Sequence, residues 1–185
     1  MLDVQTHWSK IQDGMNGRLA EMAAAAHELE RKMQDGTIVR EVLQGHADDI
    51  MTEQHKQLLE GKGSDGNELR PYYTEDLKPQ GYFWSPESAA NYMAWKESLT
   101  YPYGVTRTNS NAPNLYINGR FYNEMEVKFN ADSIVVAPAT GYAAGIMAKY
   151  GLQRFGLSML KWNVIMFDYG CKEEIQDKIK DILYG

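Results

Sequence analysis

The sequence offers a single cysteine, Cys171. One thiol excludes an intramolecular disulfide framework and a cysteine-rich zinc site. No apolar run approaches the roughly 18–20 residues of a membrane helix. The opening residues, MLDVQTHWSK, have neither the cationic start nor the apolar middle of a signal peptide. The expectation is a protein that folds inside a cell, or part of something assembled there. No HExxH occurs, and no two of His7, His27, His46 and His55 stand four residues apart, which removes a metalloprotease reading. GKGSDG at 61–66 lacks the GxxxxGK(S/T) pattern of a phosphate loop and the ligand spacing of an EF-hand, so it reads as a turn. Internal repeats and low-complexity tracts are missing too.

An excess of basic charge is also lacking. The net charge is −6. Residues 1–60 hold six Lys/Arg and eleven Asp/Glu, and residues 61–185 hold thirteen and fourteen. The acidity therefore belongs to the first third of the chain. Such a balance argues against general affinity for the nucleic-acid backbone, which needs clustered cations.

What is present suffices for a fold. A chain of 185 residues with 43% hydrophobic content fits one globular domain, 1–185. About 70% of its surface is buried on folding at this size. Trp8, Ile11, Met15, Leu19, Met22, Ala26, Leu29 and Met33 recur at steps of three or four, one apolar stripe of a long helix. Gln34-Asp35-Gly36 stops it. A second helix is expected from about Thr37, its cap, to Glu60, with Val39, Val42, Leu43, Ala47, Ile50, Gln54 and Leu58 on its face. Residues 61–112 read as a loop-rich insertion. It contains one helix at about 85–99, signalled by Ser85 as N-cap and Pro86 at the first helical position.

Alternation of Phe121, Met125, Val127 and Phe129 with Tyr122, Glu124, Glu126 and Lys128 predicts a half-buried strand. Asn130-Ala131-Asp132 turns it into SIVVA at 133–137, giving a β-hairpin over about 120–137. Short helices at about Tyr142–Tyr150 and Cys171–Leu183 follow, with Trp162–Phe167 ambiguous between strand and helix. The element order implies an α+β fold: long N-terminal helices on a small antiparallel sheet, a core of 1–60 plus 113–185, and a C-terminal helix.

Chemistry is thinly signalled. No catalytic, cofactor-binding or metal-binding set emerges, and no cofactor is expected. Cys171 has no histidine near it in the chain to act as base and reads as a small buried residue. Glu124 and Glu126 share a polar strand face. Paired carboxylates serve glycosidases, so a carbohydrate-active enzyme is one alternative, but alternating charge is also what any solvent-facing strand shows. The less ordinary feature is aromatic. Tyr72, Tyr73, Tyr82, Phe83, Trp84, Tyr101 and Tyr103 all fall in expected loops. Loop aromatics favour interfaces because they bury much area at low entropic cost, although packing over the chain's own sheet would use them equally well. A monomeric binding module displaying them is a further alternative.

Residues 113–158 carry a familiar order. Pro113-Asn114-Leu115-Tyr116-Ile117-Asn118-Gly119-Arg120-Phe121-Tyr122 precedes the hairpin. Tyr142-Ala143-Ala144, Lys149-Tyr150-Gly151 and Phe155-Gly156-Leu157-Ser158 follow it, then the closing helix. Upstream, Gln57-Leu58 and Ser64-Asp65-Gly66 take the places of a Gln-Leu helix end and its turn. This order resembles the tail-completion, or head–tail joining, proteins of tailed bacteriophages, including the Mu-like virion-morphogenesis proteins. The resemblance implies a non-enzymatic structural protein of the virion neck, assembled in the host cytoplasm. It would form a homo-oligomeric ring of about six or twelve subunits that meets portal or adaptor and tail proteins. DNA would only pass through the channel, and no membrane would be involved. Arg120, at the sheet rim, would pair with a neighbour's carboxylate or stand solvated.

Overall fold

A computed structural model describes residues 4–72, 83, 85–107, 109–131, 133–138, 143–151 and 155–184. The fold is α+β, with helices α1 (Val4–Gln34), α2 (Thr37–Gly45), α3 (Ala47–Leu59), α4 (Pro86–Glu97), α5 (Arg120–Asn123), α6 (Ala143–Tyr150), α7 (Met159–Asn163) and α8 (Cys171–Tyr184). Strands β1 (Met125–Phe129) and β2 (Ile134–Pro138) pair antiparallel, Val127 opposite Val136. Contacts divide the chain into two compact units, Met1–Gly45 with Gly170–Gly185, and His46–Tyr169.

The first unit contains α1, α2 and α8, and α8 packs on both of the others. Ile38, Val42, Leu43 and Cys171 are buried. Lys178 on α8 reaches Glu41 on α2 at 3.0 Å. The long first helix is present as expected, but its stripe is not covered. Every described residue from Gln12 to Ala24 is exposed, Met15, Leu19 and Met22 among them. The expected cap Thr37 proves to be a donor. Its N–H bonds Asp35 Oδ1 at 2.9 Å, and a side-chain bond from Thr37 first, then this backbone bond, hold the Asp35 carboxyl below its ordinary value.

The single helix expected over 37–60 is two helices. They break at Gly45–His46, where glycine weakens the helix and His46 leaves helical geometry (φ −101°, ψ 23°). The His46 ring lies 2.7 Å from Asp49 in the first turn of α3.

In the second unit Leu58, Leu59, Leu69, Phe121, Tyr122, Met125 and Phe155 form the core. A two-stranded sheet is marginal alone, and α3 is the helix that supports it, through β1. The predicted strand begins late. Arg120–Asn123 is a helical turn that starts after Gly119 (φ 81°), with the Arg120 N–H on Asn118 Oδ1 at 3.1 Å. The turn buries Phe121 and Tyr122 together, which an alternating strand cannot do. Tyr122 gains more there than on a strand, since its hydroxyl donates to the Asn114 carbonyl.

Ser85 does cap α4, accepting from the Ser88 N–H at 3.2 Å. Trp162–Phe167 is helical, running from α7 into a wider π-type turn at Val164–Asp168. Residues 61–112 are not merely loop, because they bury Leu69, Tyr72, Ala89, Lys96 and Ala112. Gly61 (φ 79°) is one anchor: a side chain there would meet the Ala112 Cβ at 2.8 Å. Arg107 is another, its Nη2 donating to the carbonyls of Asn109, Ser110 and Ala112.

Candidate functional site

Three features of the described residues invite a functional reading. The first lies on α3. Gln57 Nε2 donates to the Gly156 carbonyl at 2.8 Å, and Gln57 Oε1 accepts from the Ser158 N–H at 2.8 Å. Gln54 Oε1 accepts from the Gly156 N–H at 2.9 Å. Two buried glutamines thus bond the backbone of Phe155–Ser158 much as a neighbouring strand would. Ser158 then caps α7. A side chain at Gly156 would come within 3.9 Å of the Ser64 Cβ, and one at Gly66 within 3.8 Å of the Ser158 Cβ, so these segments lie close together. Gln57-Leu58, Ser64-Asp65-Gly66 and Gly156-Leu157-Ser158 are separate in sequence and lie close together here.

Beside it Glu53, 2% exposed, accepts from Lys56 Nζ at 2.6 Å and pairs with Lys161 Nζ at 3.0 Å. Lys161 also reaches Glu60 at 3.3 Å, and the Tyr169 hydroxyl lies 3.3 Å from Glu53. Burial pushes the Glu53 carboxyl up, but the bonds from Lys56 and Lys161 outweigh it and hold it below the usual value. Its stabilisation is therefore complete above about pH 4.5, the unfolded value, and is lost as pH falls through the lower folded value. Urea unfolding of Glu53→Gln at pH 7 is expected to show a loss of about 3 kcal/mol, typical of a broken buried pair. The wild-type advantage over the variant should shrink below pH 4.

The second feature is an aromatic cluster. Tyr92 meets Tyr72, Phe83 and Trp95 with ring centroids 5.1–5.4 Å apart. With Lys96, Leu115, Ile117, Ile146 and Tyr150, the first three of these rings line a cavity of about 410 Å³. Lys96 is wholly buried, and its ammonium donates to the Tyr116 carbonyl. Burial first, then the like charge of Arg107, pull its pKa down to about 7.

The third feature is exposed apolar surface. Met15, Leu19 and Met22 on α1 are 59–65% exposed, and Met159, Leu160 and Phe167 are 57–76% exposed.

The residues singled out in the sequence separate accordingly. Tyr72 is buried in the aromatic cluster. Phe83 stacks beside it at 6.1 Å. Tyr101 is half-buried, with its ring on Tyr116 and its hydroxyl on the Lys96 carbonyl. Tyr103 is half-exposed, with its hydroxyl 3.0 Å from His55 Nδ1. Tyr73, Tyr82 and Trp84 lie outside the described residues. Arg120 is exposed, and its Nε meets Glu124 at 2.7 Å. Glu126 pairs with Lys128 at 3.1 Å and Glu124 precedes β1, so the two glutamates do not share a strand face. His55 is buried against the Tyr122 ring, and burial lowers its pKa.

Lys96 gives no sign of itself in the sequence, since a lone cation near the end of a helix normally faces water. Gln54 does carry a signal, as the only polar member of its apolar stripe. Among the described residues no group of three His, Cys, Asp or Glu side chains could hold a metal, and no helix is long and apolar enough to cross a membrane. Compared with protein-family models, with curated proteins and with solved structures, the chain matches none.

Proposed function

We propose that the chain is a structural protein of a tailed-phage virion, assembling with identical copies into a ring at the head–tail junction. The observation that carries the reading is the pair of exposed apolar patches. A helix as bare as Gln12–Ala24 gains little from tertiary packing, and isolated helices of that length are marginal in water. Gly14 and Gly17 weaken it by about 1 kcal/mol each relative to alanine. Its three large apolar side chains gain about 1.5–3 kcal/mol apiece when covered.

The occupant we assign is the Met159–Leu160–Phe167 patch of the next copy. Two different patches on one chain make a head-to-tail contact, and such contacts close into rings when the rotation permits. On α1, Lys32 pairs with Glu28 at 3.0 Å and Arg31 with Asp35 at 3.3 Å, so both cations near the end of the helix are held within the chain. The motif order adds support, since two of its pieces are hydrogen-bonded through Gln57 and a third lies beside them. The acidic first third suits a channel wall, along which DNA passes without sticking.

Negative-stain microscopy of the purified full chain tests the reading. Closed rings with a central opening are expected, and particles of monomer size over the whole concentration range refute it. Capsid, portal and tail genes beside the coding sequence are the expected genomic setting.

A further inference from the structure

The cavity on α4 plays no part in the assembly proposed above, and its lining is largely of one kind. At about 410 Å³ it lies within the range of small-molecule sites. Its wall is apolar and aromatic: Tyr72, Phe83, Tyr92, Leu115, Ile117 and Ile146. One cation, Lys96, interrupts it.

Lysine is almost never fully buried unless paired, yet Lys96 has no ion-pair partner among the described residues. An ammonium has three donors, and the Tyr116 carbonyl takes one. Among the described residues, the other groups around it supply no negative charge. Arg107 is a second cation, with its Nε and Nη1 buried and unpartnered. Tyr72 and Tyr92 are pushed up by burial and stay neutral. Tyr101 donates to the Lys96 carbonyl, and Tyr150 lines the same cavity. A buried cation with no anion beside it among the described residues leaves a large desolvation cost uncompensated, and an anionic occupant removes it.

We propose that this cavity binds a small molecule with an apolar body and a single carboxylate, the carboxylate pairing with Lys96 and the body lying among the aromatic rings. Entry requires the Lys96 ammonium to turn from the Tyr116 carbonyl toward the cavity. The proposal stands whether or not the chain forms rings.

Calorimetric titration of the full chain with octanoate, and with 1-octanol as its uncharged counterpart, tests it. Octanoate is expected to bind at least about tenfold more tightly, the effect of one charge-assisted contact out of water. Lys96 is largely protonated below its value of about 7. Octanoate affinity should therefore be flat between pH 5.5 and 6.5, then fall about tenfold per pH unit above 7. Proton uptake on binding at pH 8 should accompany that fall. Lys96→Met should keep octanol binding and lose the octanoate preference.

Equal affinity for the two ligands overturns the proposal. So do binding of neither, a pH-independent affinity for octanoate from pH 7 to 9, or a preference retained by Lys96→Met. If that variant fails to fold, the wild-type comparison and the proton uptake decide the question.

Discussion

Gln57→Ala is expected to lose about 2–5 kcal/mol of stability. Gln57 is 1% exposed and both ends of its amide are used. Alanine leaves the Gly156 carbonyl and the Ser158 N–H buried without partners, at about 1–3 kcal/mol each. The loss spreads beyond the bonds themselves, since Ser158 caps α7 and α7 carries Lys161 to Glu53. Urea unfolding followed by far-ultraviolet circular dichroism reads the effect. Gln12→Ala, on the exposed part of α1, is the control and should stay within about 0.5 kcal/mol. A loss below about 1 kcal/mol for Gln57→Ala would mean that water replaces the side chain, and that the Phe155–Ser158 segment is not held by α3.

Leu19→Glu is expected to abolish assembly while leaving the helices intact. A carboxylate placed in a closed apolar contact must be desolvated without a partner, and every 1.4 kcal/mol costs tenfold in affinity. Leu160→Glu on the second patch should have the same effect. The two variants together separate the modes of contact. In a head-to-tail interface the intact α1 of the Leu160→Glu chain still meets the intact second patch of the Leu19→Glu chain, so an equimolar mixture forms heterodimers and stops there. If α1 instead paired with α1 of another copy, the mixture would give no such species, and Leu160→Glu alone would assemble normally. Sedimentation velocity distinguishes these results, and circular dichroism of each variant checks its fold.

Periodicity and capping residues make the long helices, the Ser85 cap and the hairpin legible in the amino-acid order alone. Periodicity fails at Phe121-Tyr122. There Phe121 and Tyr122 suit a strand alternation with Met125 and Glu124 on paper, but both side chains go inward from a single helical turn. The break at Gly45–His46 is equally hidden, since Val42, Leu43, Ala47 and Ile50 keep helical spacing across it. The apolar stripe of α1 is legible as a stripe, but its being uncovered is not, because a sequence shows which residues are apolar and not what lies against them. Lys96 is illegible for a related reason. Its burial depends on residues far along the chain, Arg107 and Tyr116 among them, which only the fold assembles. Conversely, the motif pieces at 57–58, 64–66 and 156–158 are readable in sequence only as an order, and the fold brings them together, with Gln57 bonding the backbone of Gly156 and Ser158.

The central claim is that this chain works by self-association through two apolar patches. Sedimentation velocity of the full wild-type chain over roughly a hundredfold range of concentration, up to about 100 µM, tests it most directly. The span covers the weak end of specific association. The account predicts a discrete, closed oligomer growing at the expense of monomer and reaching a mass that no longer rises with concentration. A single species of 21.1 kDa at every concentration would contradict it.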